Sequence, residues 1–401
     1  MATLINRPEY LEKLRGFKDI QLVKIVTGIR RCGKSTLFRL FQNELKASGV
    51  NENQIQEINL EEAENAHLMD WQALHEYIKE RLVTGKMNYI FIDEIQQVND
   101  FPRVVNSLRL KENVDLYLTG SNAYMFAGKI TTLVAGRYVE IKMLPLSFKE
   151  YMSAFSDADP AKKYRDYVEQ SSFPQTLDFK GNKPLIKDYL EGLYNTVIRK
   201  DIILRKNIKD SSQFENLTRF LFDSIGSEIS VRSIFGTLKN ELKMPIQPPV
   251  INDYLDSLVE SYIFYKAPRY DIKGKKFLKT NAKYYAVDVG LRYVLLGKEG
   301  SDLGHILENI VYLELLRRGY KVSVGQVNGT EVDFVAEKDG FVEYYQISQD
   351  ISSAKTFERE FASLDAIRDH NRKVVLTMEY TPAMSRKGIV VLNVLDWLLE
   401  K

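Results

Sequence analysis

The chain has 401 residues, 44% hydrophobic and 27% charged, with a formal net charge of +2. That balance excludes a disordered polyelectrolyte and gives no global electrostatic argument for a polyanionic partner. A single cysteine, Cys32, rules out an internal disulfide and fits a reducing, cytoplasmic setting. No apolar run reaches membrane-spanning length, and the first eight residues lack the apolar core of a secretory signal.

At this length two or three domains are expected. Apolar spacing predicts a helix over 8–17 and a strand over 22–27. Gly28-Ile29-Arg30-Arg31-Cys32-Gly33-Lys34-Ser35-Thr36 follows, and a helix over 35–47 comes next. The stretch fits the G-x-x-x-x-G-K-[ST] pattern of a phosphate-binding loop, set between a buried strand and a helix N-terminus. Glycine lets the backbone wrap a phosphate without a Cβ in the way, and successive N–H groups and the helix dipole then face the anion. In this pattern Lys34 reaches the terminal phosphates of a nucleoside triphosphate and the Ser35 hydroxyl ligates Mg²⁺. Arg30 and Arg31 either contact phosphate or keep the loop solvated. Cys32 reads as a small residue at a variable loop position.

Further strands are expected at 55–60, 89–93, 114–119 and 138–143, and helices at 70–83 and 101–110. Alternating strands and helices predict an α/β unit with a parallel sheet covered on both faces, its ligand beyond the strands' C-terminal ends. Tyr89-Ile90-Phe91-Ile92-Asp93-Glu94 is an apolar strand ending in two carboxylates. Asp93 is expected to complete the metal site and Glu94 to polarise the attacking water. The strand at 114–119 runs into Gly120-Ser121-Asn122, where Asn122, then Ser121, is the candidate to sense the γ-phosphate. Arg137, before the next strand, is a candidate to neutralise transition-state charge in its own site or a neighbour's.

These motifs resemble the AAA+ branch of P-loop ATPases, specifically a bacterial and archaeal group with a G-x-R-R-x-G-K-S loop. Phe91-Ile92-Asp93-Glu94-Ile95-Gln96, Leu118-Thr119-Gly120-Ser121-Asn122 and the run from Gly136-Arg137 to Leu144-Pro145-Leu146-Ser147-Phe148-Lys149-Glu150-Tyr151 carry the likeness. Ser172-Phe173-Pro174 and Ile198-Arg199-Lys200-Asp201-Ile202 extend it. The resemblance covers nearly the whole chain. It implies ATP as the nucleotide, Glu94 as the catalytic glutamate, a cytosolic protein, and a C-terminal domain like a degenerate restriction endonuclease. Relatives in this branch often form rings, so a homo-oligomer is an open expectation. The domains expected are an ATPase domain over 1–158, a helical and winged-helix-like region over 159–298, and a nuclease-like domain over 299–401.

In the middle region 161–206 reads as helices. Residues 213–296 read as three helices and then two strands, 262–268 and 276–287, the order of a winged helix. The hairpin carries Lys266, Arg269, Lys273, Lys275, Lys276, Lys279 and Lys283 against Asp271, which suits sequence-neutral phosphate contact. The preceding helix presents Asn252, Asp253, Asp256, Ser257 and Glu260, and those carboxylates argue against sequence-specific readout of a DNA major groove.

The C-terminal region reads as a helix over 303–318 with Glu308, strands at 320–326, 331–337 and 341–348, a helix over 354–369, and strands at 372–377 and 388–392. A restriction-like nuclease needs a helix glutamate, a strand aspartate and an acid-x-lysine on the next strand. Glu308 and Asp333 fit the first two. Gln346-Ile347-Ser348 supplies neither the acid nor the lysine, so metal binding is weakened and cleavage is not expected. The reading is an ATP-driven switch on a DNA or protein client. Its rivals are a nucleotide-gated clasp with little turnover and an ATP-dependent nuclease.

Overall fold

The computed structural model describes residues 4–122, 136–240, 246–297, 302–379 and 384–400. The chain forms two compact units. One comprises Leu4–Pro145 and Glu260–Tyr262; the other comprises Leu146–Val259 and Ile263–Lys401.

In the first unit helix α1 (Pro8–Gly16) precedes strands β1 (Val23–Thr27), β2 (Ile55–Asn59), β3 (Asn88–Asp93), β4 (Val114–Gly120) and β5 (Tyr138–Lys142). They form one sheet in the order β2-β3-β4-β1-β5, and every pairing is parallel. Parallel pairing requires crossovers. Helices α2 (Lys34–Ala47), α3 (Trp71–Glu80) and α4 (Phe101–Arg109) supply those after β1, β2 and β3.

The sheet is covered on both faces because strand residues alternate direction. Ile90, Ile92, Leu116 and Leu118 pack with Leu74 and Ile78 of α3 and Val104, Val105 and Leu108 of α4. The alternate residues Phe91 and Tyr117 stack at 4.6 Å between ring centroids and meet Phe38 and Phe41 of α2. These rings pin α2, and with it the loop at its N-terminus, over β3 and β4.

The second unit is helical and then sheet-rich. Its helices are α5 (Phe148–Met152), α6 (Pro160–Gln170), α7 (Lys183–Asn195), α8 (Ser211–Asp223), α9 (Val231–Asn240), α10 (Pro248–Glu260), α11 (Val289–Leu296), α12 (Leu303–Arg317), α13 (Ala354–Asp365) and α14 (Val394–Leu399). A π-helical segment, Thr196–Leu204, continues α7 through the run Ile198-Arg199-Lys200-Asp201-Ile202.

Among its described residues the strands are β6 (Glu228–Ile229), β7 (Phe264–Asp271), β8 (Lys276–Ala286), β9 (Lys321–Val327), β10 (Thr330–Lys338), β11 (Phe341–Ser348), β12 (Arg372–Thr377), β13 (Met384–Arg386) and β14 (Ile389–Asn393). They form a single sheet in the order β13-β14-β12-β11-β10-β9-β7-β8-β6.

The sheet alters one expectation. Three helices and a hairpin do follow one another over 211–286, but β7–β8 is not a free wing. Arg269, Tyr270 and Asp271 of β7 pair in parallel with Val324, Gly325 and Gln326 of β9. Strands on both sides of residue 298 therefore share one sheet.

Candidate nucleotide site

β1 delivers the chain to the phosphate loop, and the loop's shape depends on its first glycine. Gly28 has φ +151°, and a Cβ there would stand 2.2 Å from the Met143 carbonyl oxygen, so no side chain fits. Gly33, at φ +105°, turns the chain into α2. Arg31 is also left-handed, at φ +67°, and exposed.

Arg7 braces the loop from outside. It is buried, and it donates to the carbonyls of Cys32 (3.2 Å) and Leu144 (2.7 Å). Thr27, the last residue of β1, donates from Oγ1 to Glu140 at 2.8 Å, and the Tyr262 hydroxyl donates to the same carboxylate at 3.2 Å.

The two motifs converge. β4 lies between β1 and β3, so the loop and the acidic strand end flank the end of β4. The Ser35 hydroxyl donates to Asp93 Oδ2, and Thr119 of β4 donates to Asp93 Oδ1. Lys34 is buried; its Nζ donates to the carbonyls of Gly28 (3.0 Å) and Ile29 (3.2 Å) and stands 3.8 Å from Glu94 Oε1. A lysine, a hydroxyl and two carboxylates thus share one place at the C-terminal edge of the sheet.

Glu94 is turned into that place by a left-handed backbone, φ 57° and ψ 48°, at the exit of β3. Its amide donates to Thr119 Oγ1 at 2.8 Å, and its carboxylate accepts from Gln96. Burial pushes its pKa above the usual carboxylate range; Lys34 opposes the shift and Asp93 adds to it. A carboxylate held this way is a better proton acceptor than an exposed one.

The remaining sequence candidates divide. Ser121 and Asn122 are buried just beyond β4, with Ser121 Oγ accepting from Gln96 at 3.2 Å. Arg30 pairs with Glu61 at 2.7 Å. Cys32 is buried, and burial raises its thiol pKa. Arg137 is not brought to the site. It is exposed, and its carbonyl accepts from the Val23 amide at the start of β1, about 15 Å along the strand from the loop. That excludes it from its own chain's site.

Thr119, Gln96, Arg7, Glu140 and Tyr262 were not among the candidates. Thr119 had a signal, as the last in-strand polar residue before Gly120-Ser121-Asn122. Arg7 and Tyr262 had none, since their roles depend on distant contacts.

A family model described as an AAA domain matches residues 21–152, and one described as a domain of unknown function matches 161–302. An uncharacterized protein of Haemophilus influenzae is 38% identical over 402 residues, covering 99% of each chain. The chain belongs to the same family as that protein. An uncharacterized protein of Methanocaldococcus jannaschii is 27% identical over 313 residues, 74% of this chain and 67% of its own. Among solved structures, the Walker-type ATPase of Pyrococcus abyssi superposes with a TM-score of 0.50 at 15% identity, over 73% of this chain and 95% of its own. That likeness speaks to the fold.

The residues expected to form a nuclease-like site, Glu308 and Asp333, lie in a second cluster. Glu308 of α12 accepts from Lys283 Nζ at 2.9 Å and from the Tyr285 hydroxyl at 2.5 Å, and Glu331 accepts from Lys283 at 2.7 Å. Burial alone would lower the Lys283 pKa, but Glu308, with Asp333 and Glu331, outweighs it and raises it. Lys283, expected on a basic wing, is therefore an internal counter-ion.

Asp333 accepts from the Ile347 amide at 2.7 Å. Gln346 donates to Glu360 at 2.8 Å and accepts from Ser363 at 3.1 Å. Ser348 donates to the Asp350 carbonyl at 3.0 Å. One oxygen of Glu308 and one of Asp333 are thus engaged by protein donors. Among the described residues, no group of three or more His, Cys, Asp or Glu side chains is arranged to hold a metal ion.

Proposed function

We propose that this AAA-domain protein hydrolyses ATP to ADP and phosphate and uses the cycle as a switch on a nucleic-acid or protein client. The observation that carries the reading is the meeting of loop and acidic strand: Ser35 on Asp93, and Lys34 beside Glu94.

Ser35 and Asp93 offer hard oxygen ligands, which fit Mg²⁺, an ion that takes its other positions from phosphate and water. An Mg²⁺ held by them would neutralise charge on the nucleotide's phosphates. The backbone amides of Gly28–Thr36 cradle phosphate, and Lys34 exchanges its two carbonyl partners for phosphate oxygens. Glu94 accepts the proton of the attacking water, with its backbone fixed by Thr119 and its carboxylate by Gln96. Asn122 and Ser121, buried beside these groups, are the sensors of the γ-phosphate. Arg137, remote from its own chain's site, serves in the site of a neighbouring copy, which makes a homo-oligomer part of the proposal. The C-terminal cluster does not cleave nucleic acid in this reading, because Gln346-Ile347-Ser348 supplies neither the acid nor the lysine, and Lys283 and the Ile347 amide already engage Glu308 and Asp333.

Steady-state phosphate release tests the proposal. Wild type is expected to turn over many ATP molecules per chain. Lys34→Ala is expected to lose nucleotide binding. Glu94→Gln is expected to bind ATP and release phosphate about a hundredfold more slowly or worse. ATP-dependent binding without turnover in the wild type would make the protein a clasp, and equal turnover in all three would remove the site assignment.

A further inference from the structure

The turn between β7 and β8 keeps the basic character expected of the wing, as Lys266 does farther back on β7. Arg269 pairs with Glu228 at 3.0 Å and Lys283 is buried on Glu308 and Glu331. The Lys279 side chain lies outside the described residues. Lys273, Lys275 and Lys276 remain exposed, and among the described residues no carboxylate pairs with them. Over 271–277 these three lysines face one acid, Asp271, whose Oδ1 is engaged by the Gly274 amide at 3.0 Å.

The same tip presents an aromatic ring. Phe277 is 64% exposed, an unusual state for phenylalanine. It is held in place, with its ring 5.2 Å from that of its cross-strand partner Tyr270 in an edge-to-face arrangement. Tyr270 packs against the core that contains Ile272, Val327 and Val332. The tip is therefore fixed from beneath and open above. Beside it, Asp271 at the end of β7, Lys273 and Gly274 of this turn, Gln326 of β9, and Asn328 and Gly329 of the β9–β10 turn line a cleft of about 380 Å³.

We propose that this tip binds single-stranded nucleic acid, with Lys273, Lys275 and Lys276 on successive phosphates and an unpaired base stacked on Phe277. Lysines supply sequence-neutral attraction to the backbone, and an exposed ring held at fixed orientation is a stacking platform that accepts any base. A duplex satisfies the lysines and leaves the ring unused, because its bases are already stacked. An acidic peptide does the same. The cleft beside it offers room for the sugar and the edge of the stacked base. The inference is independent of ATP hydrolysis, which phosphate release measures separately.

Fluorescence anisotropy with the full chain at low salt tests it, using labelled oligo-dT, oligo-U and a duplex of equal length. Wild type is expected to bind one or both single strands more tightly than the duplex. Phe277→Ala is expected to weaken single-strand binding by about tenfold and to leave duplex binding and basal phosphate release unchanged. Replacing Lys275 and Lys276 with Gln is expected to flatten the salt dependence. Comparing oligo-dT with oligo-U separates DNA from RNA as the source. Three results would overturn the inference: no single-strand binding by the folded wild type, single-strand binding that Phe277→Ala leaves intact, or a polyglutamate peptide bound better than either strand.

Discussion

Glu94 is buried next to Asp93, and both features favour its protonated form, with Lys34 as the opposing charge. Two consequences follow at the scale of this residue. If Glu94 is the base, hydrolysis falls on its acidic side with an apparent pKa above the ordinary glutamate value of about 4.3. A pH profile of kcat checks this, and a limb at or below that value would contradict it. The second concerns stability. A carboxyl whose folded pKa is raised binds its proton more tightly in the folded state, so stability is lost as pH rises from the unfolded pKa through the folded one. Glu94→Gln is therefore expected to raise Tm at neutral pH, with the gain fading below about pH 4. Cys32 gives a simpler readout: its buried, pKa-raised thiol should resist a thiol reagent in the native protein and react once per chain in denaturant.

At the scale of elements, the loop works because β1, β3 and β4 end at one level and α2 is pinned by its aromatic face. Gly28→Ala tests how tightly the backbone is packed. With a Cβ 2.2 Å from the Met143 oxygen and φ at +151°, it should destabilise the protein by about 2 kcal/mol or more in denaturant melts and abolish nucleotide binding.

The strands of this unit were legible in the sequence to within a residue or two, because each is a short apolar run and each crossover helix has its own spacing. The loop and Asp93-Glu94 were legible because their chemistry is local. Thr119 was half legible. Arg7 and Tyr262 were not, because each acts on residues more than twenty positions away and neither sits in a pattern. Of the two roles read for Arg137, the parallel register removes the one in its own chain's site, because the residue lies at the opposite end of the strand from the loop.

At the scale of the whole chain, the sheet of the second unit shows where local reading stops. Helices α8 to α10 and the hairpin follow one another as a winged helix would. The pairing of β7 with β9 is made between residues more than fifty positions apart and leaves no trace in either strand. The same pairing explains Lys283, which reads as a wing cation beside Lys273 and Lys275 but points into the cluster of Glu308 and Glu331. Removing it leaves buried carboxylates without their cation. Lys283→Met is expected to cost about 3–5 kcal/mol in an unfolding titration, while Lys273→Met, at an exposed position, should be near neutral.

The central claim is that one Mg²⁺–ATP is grasped jointly by the loop and the acid-tipped strand. Calorimetric titration of ATP into wild type and Asp93→Asn, each with Mg²⁺ and with EDTA, tests it directly. Wild type should bind more tightly with Mg²⁺ than with EDTA, and Asp93→Asn should lose most of that difference while keeping metal-free binding. A metal dependence unchanged by Asp93→Asn would place the ion elsewhere and contradict the account.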